Sequence, residues 1–272
     1  MRRLLMVPLL ALAPIAQACA ACPPRRALAM DLVECLGDPD PQVRDGIAYE
    51  ALTHWLRADA IDVDGRRVLR DRLYRLLETD DSRGFAPPFA ALALAEVART
   101  DRISAWMATQ ERAAMVAAAA AYLESVRDYR GFDNDHGWRH GVAHGADWLM
   151  QLTLNPALDR AQLDRILAAV ATQAVPEAAH AYVFGEPERL ARPVLYAAKR
   201  GLHSDAEWQA WLAGLAPRLG AASPPYADEA WLARRHDLHA FLAELSLAAD
   251  QAQDPSIRRL KPVVAAALER LP

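Results

Sequence analysis

Residues 36–48 read Leu36-Gly37-Asp38-Pro39-Asp40-Pro41-Gln42-Val43-Arg44-Asp45-Gly46-Ile47-Ala48. Gly37 stops one helical pattern and the Asp-Pro-Asp-Pro run turns the chain. Val43-Arg44 and Ala48 then open a second helix. A helix stop, a proline turn and a helix start within so few residues are the joint of two helices packed side by side.

The composition around this joint agrees with it. Alanine occurs 58 times and leucine 37 times, about a third of the 272 residues, whereas valine, isoleucine and threonine together number 27. Strong helix formers dominate and residues suited to a pleated surface are scarce. The chain is expected to be all-α, which excludes sandwiches, barrels and doubly wound sheets. A hydrophobic fraction of 53% supplies a core, and 24% charged residues do not suggest disorder.

Helical patterns run over 26–36, 40–58, 65–79, 87–99, 110–127, 137–154, 159–174, 188–200, 205–216, 228–249 and 256–270. They are separated by Gly84 with Pro87-Pro88, Asn155-Pro156, Pro224-Pro225 and Asp254-Pro255. Two longer irregular stretches, 128–136 and 175–187, are rich in charge, aromatics or glycine. The 36–48 segment resembles the turn and second helix of a HEAT repeat. Repeats of about 40–47 residues fit the chain roughly six times. Because later segments do not repeat the signature clearly, the expected architecture is an irregular HEAT-like α-solenoid, an α-α superhelix of antiparallel helix pairs. It forms a single domain over 26–272.

The N-terminus reads as an address. Met1-Arg2-Arg3 precedes an apolar run from Leu4 to Ala16, and Ala16-Gln17-Ala18 is an Ala-x-Ala cleavage pattern. The expectation is a cleavable signal peptide over 1–20, cut near 18–20, with export to the periplasm and no transmembrane segment in the mature chain. Cleavage after Ala18 leaves Cys19 first, as in a lipid-anchored chain, but Ala16 and Gln17 make a poor lipobox. Cleavage after Ala20 leaves Cys22 and Cys35, which an oxidising compartment can pair. The alternative for Cys35 is a buried core thiol. A net charge of −4 without a basic block excludes nucleic acid as a partner.

Chemistry concentrates in Gly137-Trp138-Arg139-His140-Gly141-Val142-Ala143-His144-Gly145-Ala146-Asp147. On a continuous helix Trp138, Val142, Ala146, Leu149 and Leu152 share an apolar face. His140, His144, Asp147 and Gln151 form a polar stripe nearly opposite. Gly141 and Gly145 sit between the faces and admit a neighbouring helix closely. Three readings compete for the stripe. His140, His144 and Asp147 can ligate a divalent metal; Asp147 can orient a histidine for acid–base catalysis; or the stripe is a hydrogen-bonded network tying helices together. The stripe lacks the intervening glutamate that makes His-Glu-x-x-His specific. Arg127 and Asp128 precede this helix in sequence. Glu186, Glu188 and Arg189 open a later one, where acids suit the helix dipole. Asp128, Glu186 and Glu188 are the candidate catalytic groups. With Arg127, Trp138, His140, His144, Asp147 and Arg189 they form the candidate binding patch. Arg44 and Asp45 read as a ladder between repeats.

At these motifs the chain resembles the bacterial domain-of-unknown-function family numbered 2785. The resemblance rests on Asp38-Pro-Asp-Pro with Arg44-Asp45 and Tyr49, and on Arg127-Asp128 through Gly131. It also rests on Gly-Trp-x-His-x-x-Ala-His-x-Ala-Asp at 137–147 and Gly-Glu-x-Glu-Arg-Leu at 185–190. It covers residue 28 to the C-terminus and departs at Pro87, where the family tends to have arginine. It implies a helical, HEAT-like fold and no known activity.

The leading expectation is an exported scaffold binding a protein or peptide partner through an inner His/Asp/Glu/Arg patch. The alternative is a metal-dependent hydrolase with His140, His144 and Asp147 as ligands and Glu186 or Glu188 as base. A purely structural module is the third. No cofactor beyond that divalent metal is predicted. No Gly-rich phosphate loop, Gly-x-Ser-x-Gly elbow or nucleophilic cysteine setting points to another enzyme class.

Overall fold

A computed structural model describes residues 25–221 and 226–272. The leader, its cleavage site, Cys19, Cys22 and Pro224-Pro225 lie outside the described residues. The Asp-Pro turn forms as read: Asp38 accepts the Asp40 N–H at 2.8 Å, and Asp40 accepts the Gln42 N–H at 2.8 Å. These carboxylates satisfy donors that the start of the next helix leaves unpaired.

Twelve α-helices are described. They are α1 (Arg25–Cys35), α2 (Glu50–Arg57), α3 (Val63–Leu77), α4 (Ala86–Ile103), α5 (Thr109–Ser125) and α6 (Gly141–Thr153). After them come α7 (Arg160–Ala174), α8 (Glu186–Lys199), α9 (Asp205–Ala213), α10 (Glu229–Gln251), α11 (Pro255–Arg258) and α12 (Lys261–Glu269). A π-helical segment, Gln42–Tyr49, leads into α2, and a 3-10 turn, Ala216–Leu219, follows α9. The all-α expectation holds. The only sheet among the described residues is the two-stranded antiparallel pair β1 (Phe132–Asp133) and β2 (Gly137–Trp138), with Phe132 opposite Trp138.

Sequence neighbours pack in pairs, α3 on α4, α5 on α6 and α7 on α8. Alternate helices also pack, so that α2, α4, α6, α8 and α10 touch in succession, and α5 lies on α7. One cluster of buried apolar side chains extends from Ala29 to Ala267. Cys35 lies half-buried at its edge and has no disulfide partner among the described residues.

Helix α6 sits between α4 and α8, with α5 behind it. Its two glycines explain the close approach: a Cβ on Gly145 would lie 3.1 Å from Leu123 and Tyr122 of α5, and one on Gly141 would lie 3.3 Å from the Tyr122 hydroxyl. The expectation that these glycines admit a neighbour is met.

The helix predicted over 137–154 needs correction. It begins at Gly141, because Gly137 (φ +73) and His140 (φ 57) take left-handed backbone that breaks a helical path. Asp133 closes the preceding turn by accepting the N–H groups of Asp135 and His136 at 3.0 and 2.7 Å. Trp138 therefore belongs to β2, not to the apolar face of α6, and is 38% exposed. The segments read as 205–216 and 256–270 each divide in two, at Gly214-Leu215 and at Arg259-Leu260.

Candidate functional site

A line of polar side chains crosses the row α2, α4, α6, α8. Arg57 of α2 and Glu96 of α4 form a two-pronged ion pair at 2.8 and 2.6 Å. On α6, Asp147 pairs with Arg189 of α8, and Arg192 approaches its other oxygen at 3.8 Å. Burial raises the Asp147 carboxyl above its ordinary value, and the charges of Arg189 and Arg192 only partly offset it. Further along the stripe, Arg102 of α4 donates to Gln151 at 3.2 Å.

His140 caps α6 in the left-handed region, at φ 57 and ψ 40. That conformation costs a residue with a Cβ about 1–2 kcal/mol. Several contacts hold it there. The N–H groups of Arg139 and His140 donate to Gly131 and Arg130 carbonyls at 2.8 and 3.1 Å. The His140 ring stacks on Trp138, with centroids 4.7 Å apart and planes at 24°. Its Nε2 faces Glu186 Oε1 at 3.5 Å. Glu186 is 2% exposed and accepts the Phe184 N–H at 3.0 Å. Burial acts upward on its carboxyl, but the facing His140 side chain and backbone N–H groups outweigh it and hold the group below its ordinary value.

His144 lies 3.1 Å from the Pro88 carbonyl through Nδ1, and since a carbonyl only accepts, Nδ1 carries the proton. Burial, then the charge of His140, pushes its pKa down to about 3, so the ring is neutral. The His140 and His144 rings meet edge to face at 5.8 Å.

The structure thus brings together Trp138, His140, His144, Asp147, Glu186 and Arg189. It does not assemble the metal triad that the spacing suggests. That spacing presumes His140 on the helix, but it sits in the left-handed cap, and Asp147 is engaged by Arg189. Among the described residues no group of three or more His, Cys, Asp or Glu is placed to hold a metal ion. Arg127 and Asp128 stand apart. Arg127 donates to the Glu124 and Val126 carbonyls at the end of α5, and Asp128 is gripped by Arg130. Asp128 lines a cleft with Pro87 and Pro88, where α4 begins. Glu188 is exposed and pairs with Arg192 at 2.7 Å.

Other contributors carry no plain sequence signal. Arg44, read as a ladder residue, is fully buried. It donates to Asp45 at 2.7 Å, to the Asp38 carbonyl at 3.0 Å and to the His136 carbonyl at 2.8 Å. Its guanidinium lies over Phe85 and Phe89 at 4.3 and 4.7 Å. The Asp-Pro turn therefore anchors the loop that presents Trp138. Phe132 and Phe184 pack on Trp138 at 5.1 and 5.9 Å. Asp237 of α10 accepts the Tyr182 N–H at 2.8 Å and ties down the 175–185 loop. The two irregular stretches flagged these regions by their aromatics; Asp237, in mid-helix, gave no such signal.

A family model described as a protein of unknown function (DUF2785) matches residues 73–247. No curated protein and no solved structure matches the chain.

Proposed function

We propose that this chain, which belongs to the family of proteins of unknown function DUF2785, is an exported HEAT-like α-solenoid. On this reading it binds a protein or peptide partner along the row α2, α4, α6, α8. The stacking of alternate helices supports the solenoid reading, and extended faces of that kind suit protein partners. The leader over 1–20 supports export.

One observation carries the binding reading. The buried groups of the row are held in place, Glu96 by Arg57, Asp147 by Arg189, His144 by the Pro88 carbonyl and His140 by its stack on Trp138, while Trp138, Arg189 and Arg192 stay a third or more exposed. Tryptophan and arginine held in place by such contacts are what dominate protein interfaces. A hydrolase would instead need an acid or base that titrates in its working range, whereas Asp147 is paired with Arg189 and burial leaves His144 a weak base.

Panning a random peptide-display library on the whole chain tests this. Enriched peptides should lose roughly tenfold or more in affinity to W138A and to R189A. They should keep it with I103S, which alters an exposed side chain at the end of α4. Peptides that bind W138A and R189A as tightly as the unaltered chain would overturn the reading, as would a library that yields no binders.

A further inference from the structure

We infer that the cleft between the 126–140 connection and the 175–185 loop is a second binding site, for an aromatic ring with a carboxylate close beside it. The cleft has a volume of about 430 Å³, within the range of small-molecule sites. Four rings line it: Tyr129, Phe132, His180 and Phe184. Tyr129 and His180 are stacked, with centroids 5.2 Å apart and planes at 17°. Phe132 and Phe184 are 43% and 36% exposed. Gly131 shapes this wall, because a Cβ there would overlap the Phe184 ring.

Two guanidinium groups, Arg130 and Arg139, line the same cleft. Arg139 is held by the Arg83 carbonyl at 2.7 Å, by Asp133, and by the Phe85 ring 4.4 Å beneath it. Arg130 is held by Asp128 and the Ser82 carbonyl. Nη2 of Arg139 and Nη1 of Arg130 donate to none of the described residues. Each cation is therefore fixed in place and keeps N–H capacity for a ligand. The one acid lining the cleft, Asp133, is engaged by Arg139 and two backbone N–H groups. Free donors without a free carboxylate select an anion, and charge-assisted bonds from arginine suit a carboxylate. Ring walls select a flat apolar body. Two of its walls, Phe132 and Phe184, pack on Trp138 of the partner-binding row, but its arginines pair with Asp128 and Asp133 and not with the acids of that row, so Arg189 is the residue that separates the two sites.

A ring beside a carboxylate occurs in small aromatic acids and at the end of a peptide whose last residue is aromatic. Calorimetric titration of the whole chain with N-acetyl-L-phenylalanine, its amide, and acetate tests the shared chemistry. The acid is expected to bind about tenfold or more tightly than the amide and than acetate. R130Q, a change at a half-exposed side chain, should weaken the acid by about tenfold, and H180A should weaken it too. R189A, which the partner-binding row needs, should leave it unchanged. A short alanine peptide ending in phenylalanine, run beside the free acid, identifies the source: tighter peptide binding assigns a chain terminus, tighter acid binding a small metabolite, and both uphold the site. An amide that binds as well as the acid would overturn the inference. So would an R130Q chain that binds like the unaltered one, or no binding of acid or peptide below roughly 10 mM.

Discussion

His140 Nε2 lies 3.5 Å from Glu186 Oε1, joining the cap of α6 to the first turn of α8. Both side chains are buried, and His140 keeps a left-handed backbone to make this contact. The pair fixes the distance between two helices of the polar row and sets the ring on which Trp138 stacks.

Replacing Glu186 by glutamine should cost about 2 kcal/mol in urea unfolding at neutral pH, since one member of a buried pair loses its charge. The Glu186 carboxyl is held below its ordinary value in the fold. Its contribution is therefore present above about pH 4.5 and lost as pH falls through the folded value. The gap between E186Q and the unaltered chain should narrow in acid; a constant gap would show that charge plays no part.

Backbone strain at His140 gives an inverted order of substitutions. H140G should be less destabilising than H140A by about 1 kcal/mol, although glycine is ordinarily the worse residue beside a helix. Thermal unfolding of the two variants settles the order.

Arg44 should resist even conservative change. Lysine cannot reproduce the fork that meets Asp45 and two carbonyls while lying between Phe85 and Phe89. R44K is expected to lose about 3 kcal/mol. It should also raise hydrogen exchange in the 132–138 hairpin, because the His136 carbonyl loses its donor.

Asp237 predicts a pH slope of the opposite sign to Glu186. Burial, together with the nearby charge of Glu186, pushes its carboxyl up to about 7 from 3.8. Between those values the folded chain holds a proton that the unfolded chain releases, so this group's contribution to stability falls as pH rises. The slope is at most about 1.4 kcal/mol per pH unit. D237N keeps an acceptor for the Tyr182 N–H and should flatten the slope. Urea unfolding of both chains at about pH 5 and about pH 8 measures the difference; equal slopes would refute the assignment.

Elemental analysis of protein purified in metal-free buffer, beside the H140A/H144A double variant, tests the metal reading directly. The geometry predicts no stoichiometric metal in either, with lower thermal stability in the variant. Stoichiometric metal that the variant loses would restore His140 and His144 as ligands.

Much of the helix layout was legible because its punctuation is local. Proline turns, Asp caps and alanine-rich stripes act within a few residues, and α5, α7 and α10 lie within two residues of their predicted bounds. The site was legible in composition but not in geometry. The 137–147 motif and the acids at 186–188 stand out in the sequence, yet the helical periodicity runs four residues too far back, through two left-handed positions. Nothing in the local pattern forces a histidine with a Cβ into that conformation; the Trp138 stack and the Glu186 contact hold it there.

The sequence by itself determined the all-α class, the turns, and which segments carry chemistry, since these follow from propensity, spacing and composition. Only the tertiary structure decided what those side chains do. Arg44 became the support of a loop more than ninety positions away in number, and Asp147 found its arginines on α8. Pairings across that separation depend on which helices stack, and stacking is set by the packed core rather than by any local stretch of chain.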